Sequence, residues 1–287
     1  MTSLHTLIQT LDDWMQADSF KDYAPNGLQV EGREDVHKVA LGVTASADVI
    51  EQAIAWGADA LLVHHGYFWK NEASTLTGMK GRRVRALFEN QLSLIAYHLP
   101  LDCHPEFGNN KTLLDQLALP GGVPIEGEGG LLWSVPLNGQ FTLDQLAAQV
   151  GSRLDRMPLV IESSRAPTSP NRLVVCTGGA QDYLSKAQFY GADVYLSGEI
   201  SERTTHEARE LGVHYIAAGH HATERYGVQA LGAKIQSQLG LEVAFFDDHN
   251  PASLLKLSPS IGIVAGWRNS ILFVWLGLDF DRSLFTP

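Results

Sequence analysis

The feature of this sequence that most restricts its fold is a strand, helix and strand pattern that occurs twice. The segment GVTASADVIEQAIAWGADALLVHHG starts at Gly42 and resembles CTGGAQDYLSKAQFYGADVYLSGEI, which starts at Cys176, at a constant offset of 134 residues. Gly57-Ala58-Asp59 aligns with Gly191-Ala192-Asp193. Any two βαβ units resemble one another to some degree, because Gly-Ala-Asp is a common turn from helix to strand. We nevertheless interpret the pattern as a duplicated α/β unit.

Alternating apolar and amphipathic segments predict the remaining architecture. An amphipathic helix opens the chain at 4–14, and later helices are expected at 47–56, 80–90, 142–154 and 227–240. Strands are expected at 38–43, 58–63, 94–97, 131–135, 159–162 and 242–246. Strands that alternate with helices indicate mainly parallel sheets. The predicted fold class is therefore α/β, with two related units from an internal duplication and helices layered on mainly parallel sheets.

A Gly- and Pro-rich stretch at 120–130 interrupts this pattern and predicts a domain boundary. We expect a first α/β domain at 1–124, a second at 125–251 and an atypical C-terminal extension at 252–287. The extension contains an apolar run at 257–278, but Arg268 lies at its middle. A central Arg costs about 2.5 to 3.5 kcal/mol on membrane-insertion scales. The extension is therefore interpreted as an extra strand or a poorly ordered segment, not as a membrane span.

Composition limits the compartment and the partners. The chain has 32 acidic and 21 basic residues, a formal net charge of -11, so its average surface repels phosphate backbones and anionic membranes. Its two cysteines, Cys103 and Cys176, form neither a disulfide framework nor a thiolate zinc site. The N-terminus lacks the pattern of a secretory signal. These features predict a cytoplasmic protein without a membrane partner.

Polar side chains follow the predicted strands, where an open parallel sheet usually carries its functional groups. These candidates are His64, His65, His98, Asp102, Glu199, His220, His221 and Glu224. His98 with Asp102 and His220 with Glu224 share the spacing His-x-x-x-carboxylate. Imidazole and carboxylate ligands without thiolate suit iron, manganese, zinc, cobalt or nickel. Because four to six side chains exceed what one ion with an open position would take, two divalent ions per subunit are expected.

Each candidate also has a purely structural explanation. His64 and His65 would point to opposite faces of a continuing strand, so one of them could be buried and only hydrogen-bonded. Asp102 could cap the segment that follows it. His220 and Glu224 could form an intrahelical pair, because they are one helical turn apart.

Five segments together resemble a known family. These are PNGLQVEG (25–32), VHHGYFW (63–69), YHLPLD (97–102), SGEI (197–200) and GHHATERYGVQAL (219–231). They resemble, in the same order, the GTP cyclohydrolase 1 type 2 homologues, which are the Ngg-interacting-factor-three-like dinuclear metal proteins. The similarity runs from about Leu4 to Pro251, without a large inserted middle domain, and is typical of the short bacterial form. The tail after Pro251 lies outside it.

The resemblance implies a set of roles, carried over position by position. The family's metal ligands fall on His64, His65, Asp102, His220 and Glu224, and a nearby histidine recurs at His98. His220 is preferred to His221 because the family's ligand lies four residues before the glutamate. The resemblance also implies a dimetal site in the cleft between the two units and a toroidal homohexamer, a trimer of dimers.

Two functional hypotheses follow. In the first, the chain is a metal-dependent hydrolase in which water on two divalent ions becomes hydroxide and attacks an electrophilic carbon or phosphorus. By the family's label the substrate is a purine nucleotide such as GTP, whose guanine C8 is attacked with loss of formate. Glu199 and His206 are the candidate acid/base pair.

In the second hypothesis, the ions fix an interface in an assembly or adaptor protein without catalysis. Direct nucleic-acid binding is a third interpretation, and it would need a basic ring lining from the run at 80–85. That run is more typical of a solvated helix face.

Overall fold

Two large β-sheets organise the fold in the computed structural model, which describes residues 1–248 and 250 and the backbone of 264–268 and 271–275. The helices are α1 (Leu4–Met15), α2 (Ala47–Trp56), α3 (Gly78–Glu89), α4 (Leu99–Cys103), α5 (Asn109–Gln116), α6 (Leu143–Leu154), α7 (Leu184–Phe189), α8 (Glu202–Leu211), α9 (His220–Thr223) and α10 (Arg225–Leu239). Short 3₁₀ turns occupy Ala17–Ser19 and Gln181–Tyr183.

Thirteen strands lie within residues 1–248, and helices separate many of them. They are β1 (Thr2–Ser3), β2 (Gly27–Val30), β3 (Asp35–Val36), β4 (Lys38–Thr44), β5 (Ala60–His65), β6 (Ser93–Ala96), β7 (Val123–Pro124), β8 (Trp133–Pro136), β9 (Leu159–Ile161), β10 (Arg172–Cys176), β11 (Val194–Ser197), β12 (His214–Ala217) and β13 (Glu242–Phe245). β1 and β3 form a small antiparallel pair. The predicted α/β class, with helices layered on sheets, is confirmed.

The first large sheet has the order β13-β4-β5-β6-β2 and is parallel except for β2 at one edge. Side chains alternate across it: Leu41 and Leu62 pack with α1 and α10, whereas Leu61 and Val63 pack with α2 and α3. Helices on both faces explain why β4 and β5 are almost continuously apolar.

The second large sheet has the order β7-β8-β10-β11-β12-β9. Its centre, β10-β11-β12, is parallel, while β7, β8 and β9 are attached antiparallel. Leu173 and Leu196 pack against α5 and α6 on one face. On the other face, Val174 and Tyr195 pack with residues of α7 and α8. This sheet is therefore also covered on both faces by helices.

Residues Met1–Leu254 form one compact unit, in which the last strand returns to the first sheet. β13 pairs in parallel with β4, with Glu242 opposite Lys38 and Phe245 opposite Leu41. The first sheet thus takes strands from both sides of the boundary predicted at 120–130. That boundary and the internal duplication stay predictions.

The second unit is Leu255–Pro287, in which the structure describes the backbone of β14 (Val264–Arg268) and β15 (Ile271–Trp275). These two strands pair antiparallel, with Val264 opposite Trp275. The rest of the predicted extension at 252–287 lies outside the described residues. Among the described helices, none combines the length and apolar character that a membrane crossing requires.

Candidate metal centre

The predicted ligands come together where strands of both large sheets end. His64 and His65 are the last residues of β5, and Asp102 lies on the short helix α4 that follows β6. His220 begins α9, directly after β12, and Glu224 follows that helix. Three overlapping groups have ligand atoms within 4.8 Å of one another: His64 with His65 and His98, His65 with His220 and Glu224, and His64 with Asp102 and Glu224.

The strand β5 ends two residues later than expected, at His65, because Thr44 of β4 pairs with His65. Both histidines therefore belong to a continuing strand, yet their rings are 4.4 Å apart between centroids. His64 is fully buried and its Nε2 lies 3.4 Å from Asp102 Oδ1 and 3.6 Å from Glu224 Oε1. His64 is thus buried, as the structural alternative for this pair expected, and its Nε2 also faces two carboxylates.

Glu224 lies at the centre of the cluster. Its Oε2 is 3.3 Å from His65 Nε2 and 3.1 Å from His220 Nε2, but no hydrogen bond forms between described residues at this buried oxygen. Its other oxygen faces His64. A buried carboxylate without a hydrogen bond is costly, and ring nitrogens around it would share a cation well. The residues present therefore fit a divalent metal ion.

The four histidines of the cluster share a second feature, which is that each has a partner on Nδ1. His64 Nδ1 donates to the carbonyl oxygen of Tyr97 at 3.0 Å, and His65 Nδ1 lies 3.1 Å from the Thr44 hydroxyl. The Nδ1 atoms of His98 and His220 bind the carboxylates of Asp22 and Glu199, at 2.7 and 2.6 Å. Partners of this kind fix the ring and its tautomer, and leave Nε2 available as a ligand.

The electrostatic surroundings give the histidines of the cluster different pKa values. Burial disfavours the charged form of His64, but the carboxylates of Asp102 and Glu224 outweigh it and raise the pKa to about 9. Burial likewise opposes a charge on His220, yet the carboxylates of Glu224 and Glu199 beside its ring raise the pKa to about 9. Burial and then the charge of His64 lower the pKa of His65 well below its usual value. Without an ion, protons thus balance the carboxylates.

The two carboxylates differ as well. Burial disfavours the ionised form of Glu224, but His64 and His65 hold its pKa well below the ordinary range. For Asp102, burial raises the pKa, and the opposing charge of His64 does not cancel this effect. Asp102 also accepts a hydrogen bond from Asn109 Nδ2 at 2.8 Å. Both carboxylates are thus held in place by contacts from several elements.

Sequence reasoning missed Asp22 and Asn109. The side chain of Asp22 accepts from the backbone N–H groups of Tyr23 and Leu99 as well as from Asn26. Burial alone would raise its pKa, but hydrogen bonds from His98 and Asn26 lower it to about 2. Both residues lie in or beside loops without periodicity, so only the fold reveals their partners. The nearest sequence signal was the adjacent PNGLQVEG segment.

Glu199, His206 and His221 lie in different surroundings. Glu199 is half-exposed and bonded to His220 at the rim of the cluster. His206 is an exposed residue of α8, and it makes no hydrogen bond or ion pair to any residue that the structure describes. The structure therefore does not pair it with Glu199. His221 turns away to Asp247, which its Nε2 approaches to 2.8 Å.

Glycines allow the backbone to approach the cluster. Gly178 follows β10 with φ at +69°, and a Cβ there would collide with Glu224 Oε1. At Gly198, after β11, a Cβ would lie 2.6 Å from His220 Cα. Side chains at these positions would displace ligands. The glycine at 178 is thus explained by the carboxylate of Glu224.

Two cavities reach the cluster, and both are lined by His65 and His220. One, of about 630 Å³, adds Asp102 and Glu224 and is bordered by three aromatic side chains, those of Tyr23, Trp69 and Tyr183. The other, of about 410 Å³, is lined by Glu199, Met157, Gly219 and His221 among others. The candidate ligands are therefore accessible to small molecules from two directions.

Fold and site together define an α/β protein with two large sheets and a cluster of histidines and carboxylates that suits metal ions. The family is shown by comparison: residues 2–251 match the model of Duf34/NIF3 (NGG1p interacting factor 3), and this chain belongs to that family. The resemblance inferred from the motifs is confirmed.

Relatives cover nearly the same part of the chain. A protein of Allochromatium vinosum named GTP cyclohydrolase 1 type 2 homolog is 52% identical over 252 residues, 88% of this chain and 98% of the relative. A protein of the same name from Vibrio cholerae is 49% identical over 245 residues, 84% of this chain and 96% of the relative.

Two solved structures are similar as well. Protein ybgI, described as of unknown function, has a TM-score of 0.80 and 41% identity over 87% of this chain and 100% of that chain. TTHA1606 from Thermus thermophilus has a TM-score of 0.79 and 33% identity, with the same coverage.

Proposed function

We propose that this chain is a dinuclear metal-dependent hydrolase that acts on purine nucleotides. The observation that carries the proposal is Glu224, a buried carboxylate whose two oxygens face different sets of imidazole nitrogens. A carboxylate in this position can bridge two ions about 3.5 to 4 Å apart. His64 and Asp102 would then bind one ion, and His65 and His220 the other. The name of the curated relatives supports the substrate class.

The cavity of about 630 Å³ also supports a substrate with a planar ring. The rings of Trp69 and His98 meet edge to face at 4.9 Å, and Tyr23 approaches His98 at 6.4 Å. Together with Tyr183 they form an aromatic border beside the ligands. Aromatic side chains bind planar bases by stacking, while the neighbouring ligands carry the polar chemistry. A purine fits this combination.

The chain's own residues divide the work between holding the ions and moving protons. Divalent ions, when bound, supply an activated water and neutralise negative charge that develops on the substrate. Glu199 is half-exposed, borders the smaller cavity and is held by His220 Nδ1. This position suits a group that accepts a proton from water and returns it to the leaving group. His206 is assigned no role in this proposal because no hydrogen bond or ion pair between described residues joins it to Glu199.

A substrate screen tests the hydrolase. Protein loaded with Fe²⁺, Zn²⁺, Mn²⁺ or Ni²⁺ is incubated with GTP and related purine nucleotides, and formate, phosphate and ring absorbance are followed. We expect turnover that is lost in His65→Ala, because this histidine is a proposed ligand. Turnover no greater than that of His65→Ala with every nucleotide would contradict the proposal.

A second candidate function is metal-dependent assembly without catalysis. It is favoured by the origin of the ligands. His64 and His65 end a strand of the first sheet and Asp102 follows another, whereas His220 and Glu224 follow a strand of the second sheet. Ions at this place would cross-link the two sheets. Thermal unfolding with and without a chelator separates the candidates: a structural site should lose most of its stability with the metal, whereas a catalytic site should lose little.

The quaternary structure belongs to the same proposal. We propose a toroidal homohexamer, as the family resemblance implies. Leu76, Met79 and Phe88, in and beside α3, are large apolar side chains that are about half-exposed in the single chain, and contact with a second chain would bury them. Light scattering of the purified protein should give six chains per particle, and a monomer would contradict this.

A further inference from the structure

The guanidinium group of Arg156 lies beside the metal centre. Arg156 follows α6 in the loop that leads to β9, and its side chain packs on the backbone of Gly219. A Cβ at Gly219 would overlap with Nη1, and this glycine has φ at +101°. Gly219 directly precedes the proposed ligand His220. The guanidinium therefore contacts the residue that directly precedes a proposed ligand of the cluster.

The charge of Arg156 has no counter-ion among the described residues. No carboxylate of a described residue lies within salt-bridge distance of the Arg156 guanidinium. The guanidinium also makes no hydrogen bond to a described group. The side chain is half-buried, and burial lowers its pKa from the usual value. A partly desolvated cation without a partner costs free energy. This is unexpected in a chain with 32 acidic residues and only 21 basic ones.

The surroundings show where an anion could enter. Gly219 and Met157, the residues that contact and follow Arg156, both line the cavity of about 410 Å³ that also reaches Glu199 and His220. A small molecule in this cavity therefore lies against Gly219, on which the Arg156 guanidinium packs, and beside the metal centre. The planar fork of a guanidinium pairs with two oxygens of a phosphoryl or carboxylate group.

We propose that Arg156 binds an oxyanion, a phosphoryl or carboxylate group, on the molecule that enters the cavity of about 410 Å³. That this molecule is the substrate rests on the proposed hydrolase function. Arg156 is then a specificity-determining residue, because it selects ligands whose anionic group lies a short distance from the atoms presented to Glu199 and His220. Neutral analogues, such as nucleosides, would bind less tightly than their phosphorylated forms.

The four methionines of the chain provide a direct binding assay. In the full chain loaded with Zn²⁺ and labelled with ¹³C at the methionine methyl groups, Met157 is assigned from Met157→Leu. Methyl phosphate and acetate are titrated separately. We expect a saturable shift of the Met157 methyl signal with at least one of them and no shift at Met79, and the stronger ligand identifies the oxyanion.

Two matched variants decide whether Arg156 is responsible. Arg156→Gln should weaken anion binding about tenfold, the effect of losing a charged hydrogen bond, while Arg153→Gln removes an equal charge from the exposed side of α6 and should have no effect. If Arg156→Gln fails to fold, Arg156→Lys keeps the charge, loses the fork and should also bind more weakly.

Three results would overturn the proposal. The first is the lack of a saturable shift with both anions. The second is binding that persists unchanged in Arg156→Gln or Arg156→Lys, as expected for an anion held by Zn²⁺ alone. The third is an equal loss in Arg153→Gln. Because the readout is binding and not turnover, a failure of the nucleotide screen leaves this test intact.

Discussion

At the scale of single residues, the hydrogen bonds behind the ligands matter as much as the ligands. Each of the four clustered histidines has Nδ1 engaged, by a carbonyl, a hydroxyl or a carboxylate. The ring orientations are therefore set before any ion arrives, which reduces the entropy that binding must overcome. The carboxylate of Glu224 complements these fixed rings, because its two oxygens remain available to bind a cation.

The first prediction concerns the partner of His98. Asp22→Asn keeps the shape of the side chain but removes the charge that holds His98 Nδ1. We expect the affinity for Zn²⁺ to fall about 10- to 100-fold, as is typical when a supporting hydrogen bond of a metal site is lost, because His98 has a ligand atom within 4.8 Å of those of His64 and His65. Titration with a competing chelator measures this. Asp18→Asn, an exposed carboxylate in the same region, is the control, and equal effects of both variants would refute the role of Asp22.

The second prediction concerns the backbone near Glu224. In Gly178→Ala, the new methyl group meets Glu224 Oε1, and a left-handed φ costs a non-glycine residue about 1 to 2 kcal/mol. We expect a lower melting temperature and metal affinity reduced about 10- to 100-fold. Gly179→Ala is the matched control, since its nearest neighbours lie 3.5 Å from the added atom. Equal metal binding in the two variants would show that the close approach is unimportant.

At the scale of elements, sequence patterns predicted the position of a helix well where the residues that cap the helix lie next to it in the sequence. Helix α2 was predicted at 47–56 and is observed there, because Ser46 caps its start and Gly57 takes the left-handed conformation after its end. The end of β5 was predicted two residues too early, since the position of that end depends on pairing with β4. The return of β13 to β4 depends on a partner about 200 residues away in the sequence, which no local pattern reveals.

The third prediction tests one of these local signals. Thr142 and Gln145 form a reciprocal capping box at the start of α6, with hydrogen bonds of 2.9 and 3.2 Å. Thr142→Ala should lower the free energy of unfolding by about 1 kcal/mol without changing metal content. Urea unfolding measures this. Thr168→Ala, in an exposed loop, should leave stability unchanged, and a similar loss in both variants would contradict the capping role.

At the scale of the whole molecule, the sequence could predict the candidate ligand residues of the site, but not the side-chain contacts that hold those residues in place. Ligands follow strand ends, so His64, His65, Asp102, His220 and Glu224 could be proposed from the sequence pattern and the family resemblance. The supporting contacts of Asp22, Asn109 and Arg156 join residues far apart in sequence, and only the packed structure reveals them. The pairing of Glu199 with His206 stays a prediction, and no hydrogen bond or ion pair between these two described residues supports it.

The fourth prediction is a pH dependence of metal binding. In the metal-free protein the pKa values of His64 and His220 are about 9, so both are mainly protonated at pH 7. An ion must displace these protons, because only a neutral imidazole is a ligand. Affinity should therefore rise with pH and level off above about pH 9. Calorimetry at pH 7 in buffers of different ionisation enthalpy should detect proton release on binding, and no release would contradict the electrostatics of the cluster.

The central claim is that Glu224 joins ligands of both sheets into a centre for two ions. Elemental analysis of the purified chain tests it most directly, by comparison with Glu224→Ala and with His221→Ala, which changes a neighbouring histidine bonded to Asp247. We predict about two ions per chain in the unaltered protein and in His221→Ala, but one or fewer in Glu224→Ala, with the circular dichroism of all three alike. Loss of metal from His221→Ala while Glu224→Ala keeps both ions would contradict the account.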